Sequence, residues 1–244
     1  MSYLEALKKY GRENLLFLAG TLLVLLVTGL FLLENGHLVC HLRINSYHTE
    51  FADRFFSYFT HAGGAIPSFF ALGLMIFRFR SGLFILFTQG TAALITQPLK
   101  YIIGRPRPLS LWTDFDHTTF TGDATVWEHF SNHMAQWADT ANAIGYNIPG
   151  GYNSFPSGHT SAVFAFIACL AALLPPKYKN WQIAFLLIGV SVAYSRIYLS
   201  CHFLEDTMFG AFIGVIATAI TYTLMYRSDW GDRSLRAMVK RMEN

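Results

Sequence analysis

A chain of 244 residues that is 53% hydrophobic and 14% charged, with 22 Phe, is too poor in charge to be an ordinary soluble domain, where about a quarter of the residues carry charge. Its three cysteines match neither a disulfide framework nor a zinc site. The net charge of +3 is small, so its distribution matters more than its size, and no nucleic-acid or obligatory protein partner is expected.

In chain order, six apolar runs approach the ~20 residues that a membrane-crossing helix needs. They lie at about 15–33, 62–77, 82–103, 158–174, 181–199 and 204–226. The first follows Lys8, Lys9 and Arg12 as a signal peptide would, yet it exceeds the usual apolar core of about 7–15 residues and has no small-residue cleavage site. A retained helix is expected there. Between the first two runs, Phe51, Phe55, Tyr58 and Phe59 recur at helical spacing. That pattern suits either an amphipathic helix in the membrane interface or a packed helical cap. The second run is short and contains Pro67.

Residues 104–157 form a long segment between the third and fourth runs. It carries Asp114, Asp116, Asp123, Glu128 and Asp139, and its Trp112, Trp127, Trp137 and Tyr146 favour a folded cap near the headgroups. Lys and Arg in short loops set orientation. Six spans place the N-terminal tail, Arg78 and Arg80, Lys177 and Lys179, and the C-terminal Arg227, Arg233, Arg236, Lys240 and Arg241 on one side. That side is expected to be cytoplasmic. The chain is therefore read as one all-α integral-membrane domain over 1–244, with both termini inside and an extracytoplasmic cap at 104–157.

The same topology gathers three polar clusters on the opposite face. "KYIIGRPRP" closes the third run, "FPSGHTS" opens the fourth, and "SRIYLSCHFLED" joins the fifth to the sixth. A charge at the bilayer centre costs about 2.5–3.5 kcal/mol on insertion scales, so such groups call for a reason. Lys100, Arg107 and Arg196 offer three cations suited to phosphate oxygens. Ser157 stands where it caps a helix, whose N-terminal N–H groups make an anion site that Gly158 leaves open. Asp206 lies four residues after His202, on the same helical face. It can fix the imidazole tautomer and leave the other nitrogen as a nucleophile, while His159 can protonate a departing oxygen. Glu205 points about 100° away from Asp206 and is expected to be structural. Arg105 is expected to contact a headgroup or solvent, and His117, His129 and His133 to be free surface histidines.

At these residues the sequence resembles the type 2 phosphatidic acid phosphatases, membrane members of the acid phosphatase and vanadium haloperoxidase superfamily. The three-part signature K-x6-R-P, P-S-G-H and S-R-x5-H-x3-D is matched by Lys100…Arg107-Pro108, Pro156-Ser157-Gly158-His159 and Ser195-Arg196…His202…Asp206. The resemblance implies His202 as the nucleophile of a phosphohistidine intermediate, Asp206 as its orienting carboxylate and His159 as general acid. It implies Lys100, Arg107, Ser157, Gly158 and Arg196 as phosphate ligands, with no metal and no cofactor. It also implies a lipid phosphate substrate at the membrane surface; the Lys/Arg distribution puts the site on the extracytoplasmic face, and compact size and short inner loops suggest a bacterial inner membrane. Undecaprenyl pyrophosphate, lipid A phosphate and phosphatidylglycerol phosphate are the candidates. Two other classes share the anion site: a vanadium-dependent peroxidase, which six spans disfavour, and a non-catalytic anion-binding protein or transporter, for which no inverted repeat appears.

Overall fold

The computed structural model describes residues 1–114 and 123–227. The expectations attached to Asp116, His117, Arg233, Arg236, Lys240 and Arg241 lie outside those residues. The described chain is helical throughout, without strands among the described residues. Helix α1 (Tyr3–Glu13) opens with a capping box in which Ser2 and Glu5 satisfy each other's backbone N–H. Its buried Ala6 and Tyr10 face inward, and Tyr222 donates to Glu13 at 3.0 Å.

Helix α2 (Leu15–Ile44) runs well past the expected end at residue 33. It breaks only at Gly36, whose φ of +75° is a conformation that glycine adopts at little cost. The segment 34–61 between the first two apolar runs is thus mostly helical. Helix α3 (Glu50–Phe59) follows, capped by Thr49, and leads through a 3₁₀ turn at Thr60–Gly63 into α4 (Ile66–Phe77). Buried Asp53 ties α3 to its neighbours by accepting from Tyr198 Oη at 2.7 Å and pairing with His48 at 2.7 Å. The opposite face leaves Phe51, Phe55 and Tyr58 exposed, as an interfacial helix requires.

Helix α5 (Phe79–Ile103) ends at Gly104 in the left-handed conformation, φ +57°. At its start Arg80 is buried rather than solvated, donating to Met225 O at 2.7 Å and lying over the Tyr226 ring. The described part of the segment 104–157 is folded. Within it stand α6 (Pro108–Asp114) and a 20-residue helix α7 (Ala124–Ala143). Trp127, Phe130, Met134 and Trp137 of α7 pack on Tyr198, Leu199, Cys201 and Phe203. His133 corrects an expectation, since it is wedged at 5.8 Å from the rings of His41 and His48 instead of standing free; His129 is exposed as expected.

Helix α8 (Gly158–Leu173) is the central strut, with Ala165, Ala168, Cys169 and Ala171 wholly buried between α5, α9 (Trp181–Tyr198) and α10 (Leu204–Tyr226). Gly210 and Gly214 bring α10 against it so closely that an added Cβ would lie 2.6 Å from the carbonyl oxygens of Ser157 and Ser161. Small residues four apart allow this backbone approach. Among the described residues, four helical stretches are long and apolar enough to cross a membrane: Leu15–Ile44, Phe79–Asp114, Trp181–Tyr198 and Leu204–Tyr226. A fifth results if Glu50–Gly63 and Ile66–Phe77, bent by 50°, count as one. The expected run at 62–77 is therefore a turn and a shorter helix, and α8, with 16 residues, is too short to pass the same test.

Candidate active site

Three backbone hydrogen bonds stitch the three sequence clusters together, and a fourth tightens the last of them. Ser154 N–H donates to Arg105 O at 2.9 Å, and Arg107 N–H to Gly151 O at 3.1 Å. Ser157 N–H donates to Asp206 O at 2.8 Å, and His202 N–H to Arg196 O at 3.1 Å. Segments 44–49 residues apart in the chain are thereby held in one register.

A cavity of about 520 Å³ opens at this junction, lined by Lys100, Arg107, Gly158, His159, Arg196 and His202 among others. Lys100 Nζ donates to Asn153 O at 2.9 Å and Arg107 Nη1 to Cys201 O at 3.1 Å. Arg196, 5% exposed, donates Nη1 to Thr60 Oγ1 at 2.7 Å, while its buried Nε has no partner among the described residues. Three cations thus converge on one space, each steadied by a neutral oxygen and none paired with a carboxylate among the described residues. Such a space favours an anion.

Ser157 stands slightly apart. Its hydroxyl caps α8, accepting from Thr160 N–H at 3.4 Å and from Thr160 Oγ1 at 2.9 Å, and the cavity wall begins at Gly158. The unpaired N–H groups of the first turn of α8 face the anion position as a helix N-terminus does. The turn Thr60–Gly63 closes the opposite side, where an added Cβ on Gly63 would lie 2.6 Å from His159 O.

His202 is buried and its Nδ1 faces Asp206 Oδ2 at 3.5 Å and Ser154 Oγ at 3.3 Å. Ser154 in turn donates to Asp206 Oδ2 at 2.6 Å. These partners assign the proton to Nδ1 and leave Nε2 as the free lone pair. Burial holds the His202 imidazole down to about 4, assisted by Arg196 and Arg107 and opposed by the Asp206 carboxylate. The ring is therefore neutral at neutral pH, the form a nucleophile needs.

Arg105 corrects the expectation of a headgroup contact or a solvated side chain. Its Nη1 meets Asp206 Oδ1 at 3.1 Å, its Nη2 pairs with Glu205 Oε1, and its guanidinium lies over the Phe203 ring. Glu205 is structural, as expected, and Arg105 is the reason. Sequence reasoning also missed Thr60 and Ser154. Only Ser154 left a signal, lying three residues before Ser157. Among the described residues no group of three or more His, Cys, Asp or Glu is arranged to hold a metal ion.

Comparisons with known proteins give the family and the fold. The chain is 29% identical over 155 residues to a probable diacylglycerol pyrophosphate phosphatase of Schizosaccharomyces pombe, covering 58% of this chain and 52% of that protein. It is 28% identical over 144 residues to the lipid A 1-phosphatase of Rhizobium johnstonii, covering 58% and 48%. The chain thus spans about half the length of these relatives. Its fold resembles the crystal structure of Aquifex aeolicus LpxE, with a TM-score of 0.56 and 22% identity over 76% of this chain and 93% of that one. Residues 81–230, which contain all three clusters, match the PAP2 superfamily model, and the chain belongs to that superfamily.

Proposed function

We propose that the protein is an integral-membrane lipid phosphatase that hydrolyses a phosphate monoester or diphosphate on a lipid through a phosphohistidine at His202. One observation carries the reading: three cations with no carboxylate partner among the described residues and a carboxylate-backed imidazole line the same cavity. In the first half-reaction His202 Nε2 attacks phosphorus in line. The bond to the leaving oxygen breaks, His159 gives that oxygen its proton, and the dephosphorylated lipid departs. In the second, His159 takes a proton from water as the water oxygen attacks phosphorus. The P–N bond breaks, its electron pair returns to His202, and inorganic phosphate leaves. Lys100, Arg107, Arg196 and the N–H groups opening α8 stabilise charge on the equatorial oxygens, the main catalytic task in phosphoryl transfer.

The membrane reading is six spans with both termini cytoplasmic, in the inner membrane of a bacterium, the site facing the periplasm. Helix α8 serves as the sixth, since its neighbours encase it and it meets little lipid. The names of relatives, lipid A phosphatases and lipid phosphate phosphatases, support a lipid substrate. Purified protein given undecaprenyl pyrophosphate, lipid A and phosphatidylglycerol phosphate tests the proposal through released phosphate. Release from at least one, lost in His202→Ala and retained in the presence of a chelator, is expected. Equal release by wild type and His202→Ala overturns it.

A further inference from the structure

Helix α9 ends in a turn that glycine would make freely and that serine has to be held in. Ser200 N–H donates to Ile197 O at 2.9 Å, and Cys201 N–H to Arg196 O at 3.0 Å. These two bonds form the Schellman pattern, which places a left-handed residue just past the helix end and usually finds it in glycine. Here that residue is Ser200, with φ +52°. A residue with a Cβ is disfavoured in this conformation and keeps it only where the surroundings impose it. The turn also carries the chemistry. His202 N–H shares Arg196 O at 3.1 Å, and Cys201 O receives Arg107 Nη1 at 3.1 Å. The imidazole and one phosphate-facing guanidinium therefore take their positions from backbone that Ser200 directs.

What meets Ser200 comes from α2. Past the break at Gly36 that helix buries Leu38, Cys40 and His41. His41 is wholly buried, and its Nε2 lies 3.2 Å from the buried Ser200 Oγ. Its Nδ1 has no partner among the described residues, so Ser200 is the one hydrogen-bonding contact of the ring there. A buried N–H left without a partner is rarer than a buried acceptor left so, which assigns the proton to Nε2 and makes His41 the donor. The rings of Phe130 and Phe203 pack edge-on against it at 5.7 and 5.5 Å. Asn45, one turn further along α2, donates Nδ2 to Ile197 O at 3.2 Å, the carbonyl that also receives Ser200 N–H. The end of α2 thus braces the turn at two points.

We infer that His41 is a positioning residue for the phosphatase: by donating to Ser200 Oγ it holds the left-handed turn that sets His202 and Arg107 against the anion site. The inference rests on the phosphatase reading and adds to it a group that touches neither substrate nor reacting atoms. A displacement of about 1 Å at a reacting group costs about 100-fold in rate. Lys100 and Arg196 keep their own partners when the turn relaxes, so the loss falls on kcat more than on KM. A histidine that merely fills space between Phe130 and Phe203 behaves differently, since its loss costs the same whatever residue occupies position 200.

The test uses the purified full chain in detergent, with kinetics on whichever of undecaprenyl pyrophosphate, lipid A and phosphatidylglycerol phosphate releases most phosphate. His41→Leu is expected to lower kcat by about 10–100-fold with KM changed by no more than about 3-fold. His41→Gln, whose amide nitrogen reaches the place of Nε2, is expected to recover most of that loss. In the Ser200→Gly background the turn needs no brace. There His41→Leu is expected to cost no more than about 3-fold, the non-additivity of two groups that serve one task. Ser200→Ala keeps the Cβ and loses the hydrogen bond, so its kcat should fall about 10-fold or more below that of Ser200→Gly. This pair reads the same claim if His41→Leu does not fold. Unchanged kcat in His41→Leu, an equal loss from it in both backgrounds, or equal kcat for Ser200→Ala and Ser200→Gly overturns the inference and leaves the phosphatase standing. No release by the wild type from any of the three lipids overturns both.

Discussion

Asp206 collects donors from four directions: the Ser154 hydroxyl, the Phe203 N–H, the Arg105 guanidinium and His202 Nδ1. Its position relative to the imidazole is set by all of them, so residues beyond the reacting pair influence the chemistry. Arg105→Ala is expected to lower kcat by about 10–100-fold with little change in KM, the usual effect of losing an outer orienting partner. Arg105→Lys should recover only part of it, because lysine lacks the planar fork that serves Asp206 and Glu205 together. Steady-state kinetics on one lipid phosphate separate kcat from KM. Asp206→Asn removes the charge that fixes the tautomer and is expected to cost about 10³–10⁴-fold, as in hydrolytic triads. The imidazole of His202 gives a pH signature. Held down to about 4, it stays neutral at pH 6, where an ordinary histidine is largely charged. Below about 6.5 the unfolded chain takes up a proton that the folded chain refuses until about 4, so His202 lowers stability as pH falls through that window. Nitrogen NMR of histidine-labelled protein should find one ring with Nδ1–H and neutral at pH 6, absent in His202→Ala; a charged ring there would contradict the assignment.

At the scale of elements, the close contact of α8 with α10 fixes where Ser157, Gly158 and Asp206 meet. An added methyl at Gly210 or Gly214 has to displace backbone rather than a flexible side chain. Gly210→Ala and Gly214→Ala are each expected to destabilise by about 1–3 kcal/mol, the range for overpacking, and to lower activity with it. Gly90→Ala, where an added Cβ meets nothing within 4 Å, serves as the control in a detergent thermal-denaturation assay. The apolar runs of α2, α5, α9 and α10 were legible because their composition alone reveals them. The limits of α2 and the bend before α4 were not, since Gly36 and the Thr60–Gly63 turn act through backbone geometry that apolar content does not register. Helix α7 escaped for a related reason: its Trp127, Phe130, Met134 and Trp137 face is apolar, but charged and polar residues between them read as loop.

For the whole molecule, the three signature clusters were legible because their residue types and spacings carry the chemistry. Arg105, Ser154 and Thr60 were not, since their roles arise only when distant segments meet. The orientation of the bundle is open to direct measurement. Single cysteines placed at the exposed Glu128 and His129 of α7, in a background lacking Cys40, Cys169 and Cys201, are expected to react with an impermeant thiol reagent from the periplasmic side. Cysteines at Arg78 and Lys177 are expected to react from the cytoplasmic side. Labelling of both sets from one side would contradict the topology.

The most direct test of the central claim is a rapid acid-free quench with a lipid bearing ³²P in its terminal phosphate. Wild type, and more strongly His159→Ala if water attack becomes slow, should carry an acid-labile, alkali-stable label on the protein, and His202→Ala should carry none. Label persisting in His202→Ala, or mapping to a different residue, would contradict the account.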